Sequence, residues 1–171
     1  MTIRSRRFGA VLGLLAAGVL LLGAPLRAQE AGIPVGSAAP VVSVEDVDGK
    51  RVDLGRWIGK QPVVLEFWAT WCSNCEALEP AMKAAHARYG DRVAFVGIAV
   101  PMNQSPRRVK AYALRHALPL SLLYDREGAA IDAYQVPATS YVVVVDAAGK
   151  VVYTGLGGDQ DLVAAIEKAL R

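Results

Sequence analysis

Cys72 and Cys75 are the only two thiols in a chain of 171 residues, and Ser73 and Asn74 alone separate them. Four readings fit such a pair: a redox-active dithiol, half of a metal site, a structural disulfide, or no shared use. The structural reading is weak, because a disulfide stabilises by closing a loop and so short a loop restricts the unfolded chain little. A four-cysteine zinc site needs thiols that the chain lacks, and a site of two cysteines and two histidines needs His86 and His116 to converge on them. Both histidines fall late in helical stretches, outside any metal-ligand spacing, and read as ordinary helix residues. The redox reading has a mechanism. Cys72 falls where an apolar strand ends and a helix begins, so backbone N–H groups and the helix dipole face its sulfur and favour the reactive thiolate. Cys75, one helical turn later, can close a disulfide with Cys72 and release a bound partner. Cys-x-x-Cys directly after an apolar strand reads as a thiol–disulfide exchange site.

The elements that must hold the pair follow from pattern and punctuation. Residues 41–47 and 51–54 flank Asp48-Gly49, a strong hairpin signal. Residues 62–68 are mostly apolar and β-branched, which fits a strand buried on both faces. Residues 72–89, rich in Ala, Leu, Met and Lys and stopped by Gly90-Asp91, predict a helix. A second buried strand spans 93–100, and Ser105 opens a helix with Pro106 in its first turn, running to about His116. A short strand at 120–124 and a short helix at 127–134 follow. Residues 141–145 and 151–154 make a hairpin around Asp146-Ala-Ala-Gly149, and Asp159 starts a closing helix with Leu162, Ile166 and Leu170 on one face. This order gives an α/β domain: a mixed β-sheet flanked by helices on both faces, with an extra N-terminal β-hairpin.

Three arginines, Arg4, Arg6 and Arg7, precede an apolar run from Phe8 to Leu22, and Ala28 follows as a small residue suited to cleavage. Residues 1–28 therefore read as a secretory signal peptide, with an uncleaved N-terminal anchor as the alternative. Either places the protein outside the cytoplasm, in a bacterial periplasm, with membrane association only through this segment. Residues 29–40, rich in Ala, Gly and Pro, read as a linker, and 41–171 as one domain. The formal charge is +3, but four of the cations (Arg4, Arg6, Arg7 and Arg27) lie in or beside the signal. The near-neutral remainder gives no footprint for nucleic acid.

Glu66-Phe-Trp-Ala-Thr-Trp-Cys72-Ser-Asn-Cys75, with Pro80 five residues on, resembles the thioredoxin superfamily, and most of all the TlpA/ResA-like extracytoplasmic thiol-disulfide oxidoreductases. The resemblance runs from about Ala39 through Asp48-Gly49-Lys50 and Asp146-Ala-Ala-Gly-Lys150 to the last helix. It implies a thioredoxin-like fold, electron transfer through a redox-active Cys72–Cys75 disulfide, no organic cofactor and no metal. Its partners would be protein disulfides as substrates and a soluble or membrane thiol as electron donor. Glu66 matches the buried acid that the thioredoxin pattern places beneath the second cysteine. A lone acid in an apolar run is costly unless paired or used; burial raises its pKa and fits it to accept the Cys75 proton. The alternative is an edge position with the carboxylate in water. Trp71 matches the aromatic that shields the cysteines and touches the partner, Trp68 reads as core, and Pro80 matches a helix-bending proline.

The chain also departs from the family. Where ResA-like members often carry glutamate, three residues after the second cysteine, stands Leu78; Glu79 follows, turned about 100° off that face. Thioredoxin-like proteins place a cis-proline about six residues before an Asp-x-x-Gly turn. Here that count reaches Ser140, and Pro137 comes three residues early. A trans Thr139–Ser140 bond is expected, with Thr139 and Ser140 lining the groove where an extended substrate adds as a strand.

The leading function is an exported oxidoreductase that reduces partner disulfides, with Cys72, Cys75 and Glu66 as its catalytic residues. Oxidase or isomerase activity is the runner-up, since direction follows potential and recycling partner. A copper-delivery module using both thiolates is a second class, although no histidine follows His116. A peroxidase is a third: Thr70 stands two residues before Cys72, where the peroxidase pattern has a wider gap and a preceding proline.

Overall fold

A computed structural model describes residues 31–171, so the signal peptide or anchor expected over 1–28 lies outside the described residues. No helix among the described residues is long and apolar enough to cross a membrane.

Seven strands form one sheet: β1 (Ser43–Asp46), β2 (Arg51–Asp53), β3 (Val63–Trp68), β4 (Ala94–Ala99), β5 (Ser121–Tyr124), β6 (Tyr141–Val145) and β7 (Val151–Leu156). Their spatial order is β2-β1-β5-β4-β3-β6-β7. β3, β4 and β5 run parallel, while β6 pairs antiparallel with β3 and β7 with β6. The sheet is mixed, and the N-terminal hairpin adds to its β5 edge through antiparallel pairing of β1.

Four helices complete the domain: α1 (Ser73–Tyr89), α2 (Pro106–Arg115), α3 (Ala129–Ala133) and α4 (Leu162–Ala169). All six residues of β3 are buried, as its unbroken apolar run requires of a central strand. On one face, Val64, Phe95, Val142 and Val144 pack against Leu78, Met82 and Ala85 of α1 and Leu162 and Ile166 of α4. On the other, Leu65, Phe67, Val96, Ile98, Tyr141 and Val143 pack against Ala130 of α3 and Tyr134, which caps its end.

Three boundaries differ from the sequence expectation, and a specific hydrogen bond marks each. α4 begins at Leu162 rather than Asp159, because Gln160 is drawn into the β7–α4 loop and Asp161 caps the helix instead, its Oδ1 accepting from the Ala164 N–H at 2.9 Å. α3 shrinks to five residues behind Asp125, a buried acid whose Oδ2 accepts from the Ile131 N–H at 2.8 Å. The segment read as a linker is docked. Ile33 and Ala39 are buried, the Ile33 N–H donates to the Tyr141 hydroxyl at 3.1 Å, and Ala38 bridges to Lys150. Small residues let its backbone lie close to the sheet, an advantage that composition alone does not reveal.

Candidate functional site

β3 and β4 end side by side, and the loops leaving their carboxyl ends build the site, as is usual for α/β sheets. β3 runs out at Trp68, three residues make a turn, and Cys72 becomes the N-cap of α1: its Sγ accepts from the Cys75 N–H at 3.1 Å. Cys72 and Cys75 are joined as a disulfide. Both are buried, Cys72 at 8% exposure and Cys75 at 4%, so the more N-terminal cysteine is the more exposed. In the dithiol state the same N–H group and the dipole of the 17-residue helix favour the Cys72 thiolate. Pro80 lies inside that helix, as expected.

The turn before Cys72 is held from the β4–α2 loop. The Thr70 N–H donates to Gln104 Oε1 at 2.9 Å, Gln104 Nε2 donates back to the Val100 carbonyl, and Trp71 Nε1 donates to the Met102 carbonyl at 2.8 Å. Trp71 stays 44% exposed beside the cysteines, with the Met102 side chain also exposed. Trp68 is core, at 2% exposure.

Glu66 is buried at 5% exposure. In β3 it shares a face with Val64, which packs under Leu78 and Met82, and with Trp68, which packs under Cys72 and Cys75. The acid therefore lies in the sheet floor beneath the first turns of α1. Its carboxyl is pushed up to about 8, first by burial and then by the nearby charge of Glu79. A group balanced there can take a proton from a thiol near neutral pH and return it. The exposed edge-strand alternative is excluded, since β3 is central.

The late loop keeps the expected trans bond and departs from expectation at Ser140. No cis peptide bond occurs among the described residues, so Thr139–Ser140 is trans. Ser140 is fully buried in a left-handed conformation with φ of 62°. Its N–H donates to the Phe67 carbonyl, its carbonyl accepts from the Gly157 N–H and from Gln160 Nε2, and its hydroxyl donates to the Gly157 carbonyl. Ser140 thus has no backbone group left for a substrate strand, which corrects its expected place in a partner groove. Thr139, half-buried, remains at the surface of that loop.

The β7–α4 loop closes over the start of α1. A Cβ on Gly158 would stand 2.7 Å from Ala77 Cβ and 2.9 Å from the Asn74 carbonyl oxygen. Gly158→Ala must push this loop off the cysteine-bearing turn, and should lower stability by about 1–3 kcal/mol with a changed Trp71 emission. A urea melt monitored by tryptophan fluorescence reads both; an unchanged midpoint would show the loop to be slack.

A family model described as the AhpC/TSA family matches residues 35–154. The chain belongs to that family. Its thioredoxin-like branch is specified by relatives and structures. The chain is 33% identical over 122 residues to the thioredoxin-like protein YneN of Bacillus subtilis, covering 71% of each chain. It is 30% identical over 159 residues to the thiol-disulfide oxidoreductase ResA of Geobacillus thermodenitrificans, covering 92% of this chain and 90% of that one. A crystal structure of a thiol:disulfide interchange protein of the thioredoxin family from Chlorobium tepidum superposes with a TM-score of 0.68 at 26% identity, over 81% of this chain and 99% of that one. This AhpC/TSA-family chain has the thioredoxin-like fold and is a thiol-disulfide oxidoreductase.

Sequence reasoning missed Gln104, Gln160 and the partners of Glu79. All act across 20 to 37 residues of chain, and no local pattern announces them. Glu79 accepts from Tyr112 Oη at 2.9 Å and meets His116 Nδ1 at 3.0 Å, so His116 is more than an ordinary helix residue. His86 sits edge-on to Phe95.

Proposed function

We propose that the protein is an exported reductase of protein disulfides. The observation that carries this reading is the buried Glu66, on the same face of β3 as Trp68, which packs under Cys72 and Cys75. In the dithiol state the Cys72 thiolate attacks a partner disulfide, forming a Cys72–partner bond and expelling one partner thiolate. Glu66 takes the proton from Cys75. The Cys75 thiolate then attacks Cys72 Sγ, the Cys72–Cys75 disulfide forms, and the second partner sulfur leaves as thiolate. Two electrons pass from the dithiol to the partner, and a thiol donor restores the pair. Trp71, exposed beside the sulfurs, and Thr139 would flank the partner segment; residues 1–28 would direct export.

The test is the reduction potential of the Cys72–Cys75 couple, measured by equilibration with a glutathione buffer. A value near or below about −250 mV supports a reductase, whereas one near about −120 mV makes the protein an oxidase. A copper-delivery module is disfavoured by the available ligands. Of the two histidines, His116 is committed to Glu79 and His86 to the α1–sheet interface, and no group of three or more metal-binding side chains occurs among the described residues.

A further inference from the structure

Glu79 and Lys83 of α1 meet Tyr112 and His116 of α2, four side chains in one cluster. Glu79 projects from α1 with its side chain 12% exposed. It accepts from Tyr112 at 2.9 Å, pairs with His116 at 3.0 Å, and has Lys83 Nζ at 3.5 Å. Tyr112 and His116 stack with centroids 3.8 Å apart and planes 13° from parallel, so the two donors are locked to each other as well as to the acid. Such a clamp fixes a carboxylate in place far more firmly than a surface pair does.

The clamp leads to the buried acid. Tyr112 packs on Trp68, with ring centroids 5.6 Å apart. Trp68 shares a face of β3 with Glu66, and its indole nitrogen stands 2.9 Å from where Gly97 would carry a Cβ. Gly97 is the residue paired with Glu66 across the sheet. That indole N–H has no partner among the described residues. Contacts thus run from Glu79 through Tyr112 to Trp68, which stands two residues from Glu66 on the same face of β3.

We propose that Glu79 is a positioning residue for the proton step at Glu66, its clamped negative charge setting the pH at which Glu66 can act as the base for Cys75. The inference rests on the reading of Glu66 as that base. Glu79 neither gives nor takes a proton in this scheme; it acts as a fixed charge. The charge of Glu79 is already felt at Glu66, where it adds to the effect of burial. Against Glu79 lie Lys83 from α1 and Tyr112 and His116 from α2, while the charges of Glu76 and Arg115 act on Tyr112. Around Glu66, the sheet neighbours Gly97 and Val142 bring no charge, so Glu79 is the acid that β3 responds to.

The sign follows. A neighbouring negative charge makes Glu66 hold its proton to higher pH, so Glu79→Gln should let Glu66 ionise earlier. The experiment mixes reduced protein with oxidised glutathione and follows closure of the Cys72–Cys75 disulfide by stopped-flow tryptophan fluorescence across pH. Glu79→Gln should lower the inflection by about one pH unit and speed closure roughly fivefold near neutrality. Lys83→Gln, which leaves the Glu79 charge less compensated, should move the inflection the other way, and it keeps the test alive if Glu79→Gln folds poorly. In a Glu66→Gln background, Glu79→Gln should change nothing further. If Glu66→Gln alone abolishes the inflection but neither Glu79→Gln nor Lys83→Gln moves it, the proposal for Glu79 is wrong while the base stands. An inflection that survives Glu66→Gln overturns the base itself.

Discussion

Replacing Cys75 with serine is expected to leave the protein covalently bound to its partners. Cys72 holds the N-cap of α1 with the Cys75 N–H aimed at its sulfur, whereas Cys75 lies a turn inside the helix, more buried, over the sheet floor that carries Glu66. This geometry supports the proposal that Cys72 attacks and Cys75 resolves. Without the resolving thiol, the Cys72–partner disulfide has no intramolecular exit, and a non-reducing gel of cell extract should show discrete adducts that vanish with reductant. Cys72→Ser should lose exchange with a disulfide substrate by at least roughly a hundredfold, because the remaining thiol lacks the helix terminus that favours its thiolate. Equal trapping by the two variants would reverse or erase the assignment of roles.

What the sequence makes legible, and what it hides, divides along contact range. Strands and helices whose signals are local appear where expected: the run at 63–68, the helix from the cysteine pair to Gly90, the Ser105–Pro106 start, and both hairpins. Cys72, Cys75 and Glu66 are legible for the same reason, since strand, turn and helix follow one another directly and place the three within ten residues. The floor around them is not. Ser140 looks like a groove residue when counted back from Asp146, yet Gly157 and Gln160, far along the chain, take up its backbone. Glu79 looks like an ordinary polar helix position until α2 is laid across it. Its distance from the family's glutamate position is a single residue, but on a helix one residue is about 100°, and here that turn brings it onto Tyr112 and His116.

Glu66→Gln separates the two things that a buried acid does. In catalysis it removes the proton acceptor proposed for Cys75 while nearly preserving shape, so closure of the disulfide should slow by about a hundredfold in mildly alkaline solution and lose its pH inflection. In stability the change has the opposite sign. The folded carboxyl is held up to about 8 against an ordinary value of 4.5, chiefly because burial disfavours its charged form. Between those values the native state keeps a proton that the unfolded chain has released, so the stability of the wild-type protein falls as pH rises through this window, and the whole contribution is gone above about 8. Glutamine carries no charge to bury and shows no such fall. The two proteins should melt alike near the ordinary carboxylate pKa, and by about pH 9 the variant should be the more stable, by on the order of 4 kcal/mol. Urea unfolding of the oxidised forms across pH measures this directly. Parallel stability curves would mean that Glu66 is solvated in the native state, and its role as a tuned base beneath Cys75 would fall with them. A slow but alkali-stable variant is the outcome that a strained, functional carboxyl in the sheet floor requires.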